Sequence, residues 1–464
     1  MWDFSTEPEF EEQLQWMRQF VVAEVAPLDL LWPHHHHKVP PPWLKKVNDP
    51  LKQEVRARGL WACHLGPELG GRGFGQVKLS LMNEIISPYQ WGPTIFGVQG
   101  PDTGNAEIIA HYGTPEQKQR YLQPLLDGEL FSAFSMTEPH GGADPLGFRC
   151  AAVQDGTDWV INGEKFFTSN SEQAAFLIVI AVTDPDADPY RRMSMFLVPR
   201  DTPGVEMVRR TQYMNEDPDA MDHALLRYRD VRVPAEGLLG EPGQGFEIAQ
   251  TRLSGGRIHH AMRAVGQARY AFDMACERVL SRTLRGRPLA DQQLVQQAIT
   301  ESYAQIEQFR LFVLQTAWRI DQGHGYSSAV RRDIAVAKVL SAQVAHDVTR
   351  RAMHLHGALG LSNEMPFGAM WSLAPGYAVW DGPTESHVSS AARLILRDHD
   401  AAADDLPTQW LPRRVDAARA RYAEALAEQA AASASRTGWK VSDASVESST
   451  YWTFGEESER ERTV

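Results

Sequence analysis

The sequence predicts a mainly α chain with a central β domain, on three observations. Apolar residues recur at helical spacing up to about residue 130. From about 131 to 240 the period becomes that of strands. Helical spacing then returns from Gly245 to about 400, in three or four long segments with one polar and one apolar side, the pattern of a bundle. The expected organisation is a helical domain over 1–130, a β domain over 131–240, a four-helix-type bundle over 241–400, and a final 401–464 stretch of one exposed helix and a mobile Ser-rich tail.

Thr6 and Glu9 make a capping box ahead of Phe10, Leu14, Met17 and Val21, which share one helical stripe. Thr114, Pro115 and Gln117 place a cap, a first-turn proline and a box partner ahead of Tyr121, Leu122, Leu125 and Leu126, with Gly128 after the end. The strand region opens at LFSAFSMTEP. WVINGEKFF reads as a hairpin, because Asn162-Gly163 suits a two-residue type I′ turn. AFLIVIAV is a buried strand, and MSMFLVP and ALLRYRDVRVP extend the pattern. The tail aromatics Trp439, Tyr451, Trp452 and Phe454 are candidates for docking on a neighbouring surface.

Composition narrows the function. The 464 residues are 43% apolar with a net charge of −13, which repels phosphate backbones and anionic lipid and argues against a nucleic-acid partner. Cys63, Cys150 and Cys276 are odd in number and widely spaced, so neither a disulfide framework nor a cysteine metal site is suggested. The acidic N-terminus lacks a signal pattern and no apolar run reaches spanning length, giving the expectation of a cytoplasmic protein without membrane insertion.

His34 to His37 lie in a proline-bounded loop, and neither they nor His259, His260, His354 and His356 form an HExxH pattern, so no metal site is assigned. ELGGRGFGQ and EPGQGF match neither a dinucleotide nor a phosphate loop, and no GxSxG elbow occurs. FSAFSMTEPHGGADP is more informative: a strand runs into Thr137, Glu138 and Gly141-Gly142, offering hydroxyls and backbone N–H groups to a polar ligand. In VWDGPTESH, Asp381 stands before Gly382-Pro383, where turn chemistry alone would read it as a residue near a helix start.

These segments resemble the acyl-CoA dehydrogenase family over about residues 5 to 400. SMTEPHGGAD is similar to its flavin signature, INGEKFFTSN to its hairpin motif, PELGGRG to its glycine turn and VWDGPTESH to its final catalytic segment. PDTGN, YGTPEQKQRYLQPLLDGE and DGPxExH resemble the subgroup of family members ten and eleven and related bacterial enzymes. The resemblance implies FAD held without a Rossmann fold. It implies Phe134, Met136 and Thr137 at the isoalloxazine ring, with Phe167 and Ser169 on its other side and Ala143 at the place of the signature serine, touching cofactor and substrate. It implies Arg282 at the FAD pyrophosphate of a neighbouring subunit, His354, Gly357 and Ala358 in a further FAD segment, Pro383 and Glu385 at the adenine side, and Arg257 near the CoA nucleotide with Ser254 in place of a common Asp.

Under that resemblance Asp381 is the base that removes the α-proton of an acyl-CoA while the β-hydrogen leaves as hydride to flavin N5. Enclosure beside the acyl chain and flavin is expected to raise its pKa from about 3.9, its N–H to bind the thioester oxygen, and Gly382 to let the thioester approach. Glu385, Glu364 and Asp398 are fallback bases, and Glu138 is expected to organise its loop. Implied partners are an acyl-CoA, an electron-transfer flavoprotein or similar acceptor, and further copies in a homodimer or homotetramer. The rival expectations are a flavin oxidase or monooxygenase of the same superfamily, and a non-catalytic flavoprotein subunit.

Overall fold

Stripes of apolar residues at helical spacing need a common surface to bury, and the N-terminal and C-terminal helices supply one another with it. In the computed structural model, which describes residues 5–33, 35, 38–69, 71–214, 223–324 and 327–436, the early helices are α1 (Pro8–Phe20), α2 (Pro42–Ala57), α3 (Gly75–Ile86) and α4 (Asp102–Tyr112). The later ones are α5 (Gly245–Ser281), α6 (Gln293–Arg319), α7 (Ser328–His356) and α8 (Thr384–Leu396). Phe10, Leu14 and Met17 of α1 share one core with Met262 of α5, Ile306 of α6 and Val330 of α7.

Between the two helical sets lie β1 (Ser132–Ser135), β2 (Ala151–Asp155), β3 (Asp158–Ser169), β4 (Phe176–Val182), β5 (Met193–Pro199), β6 (Val205–Thr211), β7 (His223–Val233) and β8 (Leu238–Leu239). They form one sheet in the order β6-β7-β3-β2-β4-β5-β8, with β1 added parallel to β4. The continuous apolar run of β4 follows from its position: Leu177 and Val179 enter one core and Phe176, Ile178 and Ile180 another, so both faces are covered.

Two local expectations are corrected. Asn162-Gly163 is not a hairpin turn: β3 runs straight through it, and the reversal comes earlier, at Gly156, where φ is +65°. The pair marks instead a register shift against β7, where Asn162 bonds Asp230 through side chain and backbone, and a Cβ on Gly163 would meet Cys150 Cα at 2.6 Å. Thr6 makes no cap: Glu7 holds the N-cap position of α1 in extended backbone, with Pro8 opening the helix, while the Thr6 hydroxyl reaches Glu11. The Thr114–Gln117 box is present as expected, and Gln117 Nε2 also donates to the carbonyls of Glu236 and Leu238.

Residues 399–464 form a separate unit. Among its described residues are two consecutive exposed helices rather than one, α9 (Leu411–Arg421) and α10 (Ala423–Arg436), divided at Tyr422, whose backbone leaves the helical region. The tail aromatics, and His34, His36 and His37, lie outside the described residues. No helix among the described residues is long and apolar enough to cross a membrane.

Candidate active site

Helix α5 brings Arg252, Gly256, His260 and Arg263 round at successive turns, so they share a stripe. Facing it, the short helix Gly376–Val379 stops at Trp380, and the chain reverses through two left-handed residues, Asp381 (φ 56°) and Gly382 (φ 107°), before Pro383 caps α8. Aspartate tolerates that backbone better than most residues with a Cβ. The carbonyl of Asp381 accepts from Arg257 Nε at 3.1 Å and lies 3.2 Å from His387 Nε2, so the elbow is held from two helices.

The side chain of Asp381 is 16% exposed, with Oδ2 3.2 Å from His260 Nε2. A Cβ on Gly256 would lie 3.1 Å from that same oxygen, so glycine there permits the approach. The His260 ring stands 5.8 Å from Trp380 and 6.2 Å from Tyr377. Burial pushes the Asp381 carboxyl up, as anticipated, but the hydrogen bond and charge of His260, with Arg252 and Arg257, outweigh it and hold the carboxyl far below the usual range. In the chain by itself, burial of this carboxyl comes with three basic partners, whereas the expected rise belongs to enclosure by the acyl chain and flavin. Burial pushes His259 down to about 3. Burial, with Arg257 beside it, pushes His387 down to about 4.

Arg252 links this elbow to the sheet: its guanidinium carbon sits 3.9 Å from the Phe134 ring centroid, and its Nε donates to Asn105 at 2.8 Å. Beyond Phe134, Met136 and Thr137 carry the chain out of β1, and the Thr137 carbonyl accepts from Phe166 N–H. Phe167 has left-handed backbone (φ 54°) and is 43% exposed, stacked on Phe166 at 3.9 Å. Ser169 Oγ lies 2.7 Å from His223 Nδ1.

Glu138 organises its loop as expected. Its buried carboxylate accepts from the N–H groups of Arg149 and Cys150 and pairs with Lys165 at 2.9 Å; Lys165 also donates to the Met136 carbonyl at 2.7 Å.

The structure thus joins Asp381, Gly382 and Arg257 directly, and Phe134 to them through Arg252. Ala143, Arg282, His354, Gly357, Ala358 and Glu385 are exposed, and none is hydrogen-bonded to the elbow. Among the fallback bases Glu364 is exposed, and Asp398 pairs with Arg332 at 3.2 Å. Arg257 spends its Nε on the elbow, and only the helical backbone of Ser254 is described.

Matches to known proteins fit this arrangement. Family models described as the N-terminal, middle and C-terminal domains of acyl-CoA dehydrogenase match residues 7–129, 133–224 and 243–396. The chain belongs to the acyl-CoA dehydrogenase family. It is 42% identical over 363 residues to the Mycobacterium tuberculosis protein named "Probable acyl-CoA dehydrogenase FadE2", covering 78% of this chain and 87% of that one. It is 36% identical over 389 residues to mouse acyl-CoA dehydrogenase family member 10, covering 82% of this chain but only 36% of that protein. The structure of glutaryl-coenzyme A dehydrogenase in its glutaryl-CoA complex superposes with a TM-score of 0.74 at 27% identity, covering 86% of this chain and 98% of that one.

Within this acyl-CoA dehydrogenase fold, sequence reasoning missed Arg252, His260 and Lys165. Each had a signal: Arg252 and His260 stand at i−4 and i+4 of Gly256 on one helix, and Lys165 is a cation in an inward-facing strand position.

Proposed function

We propose that this chain is an FAD-dependent acyl-CoA dehydrogenase that forms an α,β double bond in an acyl-CoA thioester, with Asp381 as the base. The observation that carries the reading is the Asp381 elbow: a carboxylate kept ionised in a largely buried site, on backbone fixed by Arg257 and His387.

The residues suit FAD on a separate observation. Phe167 is a solvent-facing aromatic held in backbone that costs a residue with a Cβ roughly 1–2 kcal/mol, and a flat aromatic ligand would reward that exposure. Phe134, Met136, Thr137, Phe167 and Ser169 would hold its ring. Ala143, His354, Gly357, Ala358, Pro383 and Glu385, with Arg282 of a neighbouring copy, would hold the remainder. Bound FAD supplies the acceptor for the β-hydrogen and its electron pair, which pass on to an electron-transfer flavoprotein or similar acceptor. The domains run over 1–130, 131–240 and 241–400, the assembly is a homodimer or homotetramer, and the setting is cytoplasmic.

In the step assigned to the chain, the α-carbon–hydrogen bond breaks and an O–H bond forms on Asp381. A carboxyl so acidic is a weak base, so enclosing the thioester must withdraw water from Asp381 and raise its proton affinity. Gly382 offers no side chain against the thioester, Ala143 lies against the substrate, and Arg257 steadies the elbow while facing the CoA end.

A visible spectrum of the purified protein comes first, then anaerobic flavin bleaching with acyl-CoAs varied in length and branching. Asp381→Ala should slow bleaching by about 10²–10⁴-fold. An unchanged rate in that variant overturns the assignment; rapid reoxidation in air with peroxide release would mark an oxidase, and flavin that no acyl-CoA bleaches a non-catalytic subunit.

A further inference from the structure

Three features of the elbow bear on how its carboxylate is aimed. The backbone of Asp381 is tied at its carbonyl, so its carboxylate can turn only about its own side-chain bonds. Its Oδ2 meets His260 Nε2 at 3.2 Å, a contact made possible by Gly256 one turn earlier. His260 is in turn steadied by the rings of Tyr377 and Trp380, from the segment that delivers Asp381.

We propose that His260 is a positioning residue for the base: its Nε2–H engages Oδ2 of Asp381, fixing the side-chain rotation and leaving Oδ1 to receive the substrate proton. This rests on the dehydrogenase reading for its consequence, though the pairing itself does not need flavin or substrate. The proton moves from the α-carbon to Oδ1, and His260 keeps its own proton throughout, so no further acceptor is required. An orienting donor of this kind matters because a misplacement of about 1 Å can cost about 100-fold in rate.

Other charged or titratable groups also face the carboxylate. Arg252, Arg257, His259 and Arg263 come from α5, Lys338 from α7, whose Nζ donates to the Tyr377 carbonyl, and His387 from α8. His259 and His387 are pushed by burial to about 3 and about 4, so both are neutral near pH 7. Burial pushes Lys338 down to about 8, leaving it largely charged there. Removing His260 therefore leaves burial opposed by fewer partners, and the carboxyl becomes easier to protonate.

The test compares His260→Ala and His260→Gln in the full chain with its flavin. Single-turnover bleaching should fall about 100-fold in His260→Ala at pH 7, with its acid limb displaced upward. His260→Gln, which restores a donor without charge, should recover most of the rate. A uniform loss at every pH with the limb unmoved, or no rescue by Gln, would overturn the proposal. A second readout needs no turnover: the infrared band of protonated Asp381, assigned by its loss in Asp381→Asn, should appear at higher pH in His260→Ala than in the native chain. An unchanged midpoint overturns the pairing. A displaced midpoint in a protein whose flavin no acyl-CoA bleaches upholds the pairing and removes the dehydrogenase reading instead.

Discussion

Replacing Lys165 by methionine isolates the buried ion pair beneath the loop that follows β1. The lysine is fully buried and the Glu138 side chain is 1% exposed, so neither charge is screened by water. Lys165 contributes an ion pair at 2.9 Å, a hydrogen bond to the Met136 carbonyl, and a cation 4.4 Å from the Phe148 ring centroid. Removing one partner of a buried pair typically costs about 3–5 kcal/mol, because the other charge stays buried. Here Glu138 retains the Arg149 and Cys150 N–H groups and His140 at 3.2 Å, which places the loss near the lower end, about 3 kcal/mol. Urea unfolding followed by intrinsic fluorescence of Lys165→Met, Glu138→Gln and the double variant measures the cycle. If an uncompensated charge is the main cost, neutralising Glu138 in the methionine background should be far milder than in the native chain. Additive losses, with coupling below about 0.5 kcal/mol, would refute the reasoning.

Gly256→Ala places a methyl 3.1 Å from Asp381 Oδ2, so the carboxylate must shift; bleaching should slow at least about 10-fold while the thermal midpoint barely changes, as stopped-flow and calorimetry together would show. Asp102 lies under β1, accepting from both the N–H and the hydroxyl of Ser132, and burial pushes it up to about 6. A raised carboxyl favours the folded state while protonated and loses that advantage as pH climbs from about 4 through 6. Asp102→Asn, which keeps the accepting oxygen, should therefore gain on the native chain between pH 4 and 7 in urea titrations; a flat difference would contradict this.

What the sequence disclosed, and what it hid, follows from the range of each interaction. The stripe of Phe10, Leu14 and Met17 and the two-sided run of β4 were legible because they are periodic burial patterns. The Thr114–Gln117 box was legible because its bonds are local, whereas Thr6 and Glu9 have the same spacing but Glu7 and Pro8 take over the start of α1. Asn162-Gly163 misled because its purpose is set by Cys150 and Asp230, partners on other strands. Asp381 could be singled out from its motif, yet its electrostatics could not, since they depend on Arg252, Arg257 and His260, more than a hundred residues earlier. His260 was visible only as a histidine without a metal pattern, and its partner emerges when α5 and the elbow are brought face to face.

Helix α5 carries Arg252, Gly256, Arg257, His260 and Arg263 within three turns, along about 16 Å of one continuous rod. That arrangement makes the stretch a ruler: each residue's bearing toward the elbow is set by its count along the helix. Adding or deleting one residue inside it would swing everything beyond by about 100° and scatter the set, whereas lengthening the rod past Arg263 would leave their mutual bearings untouched. Tolerance to insertion should therefore change abruptly along a helix that looks uniform.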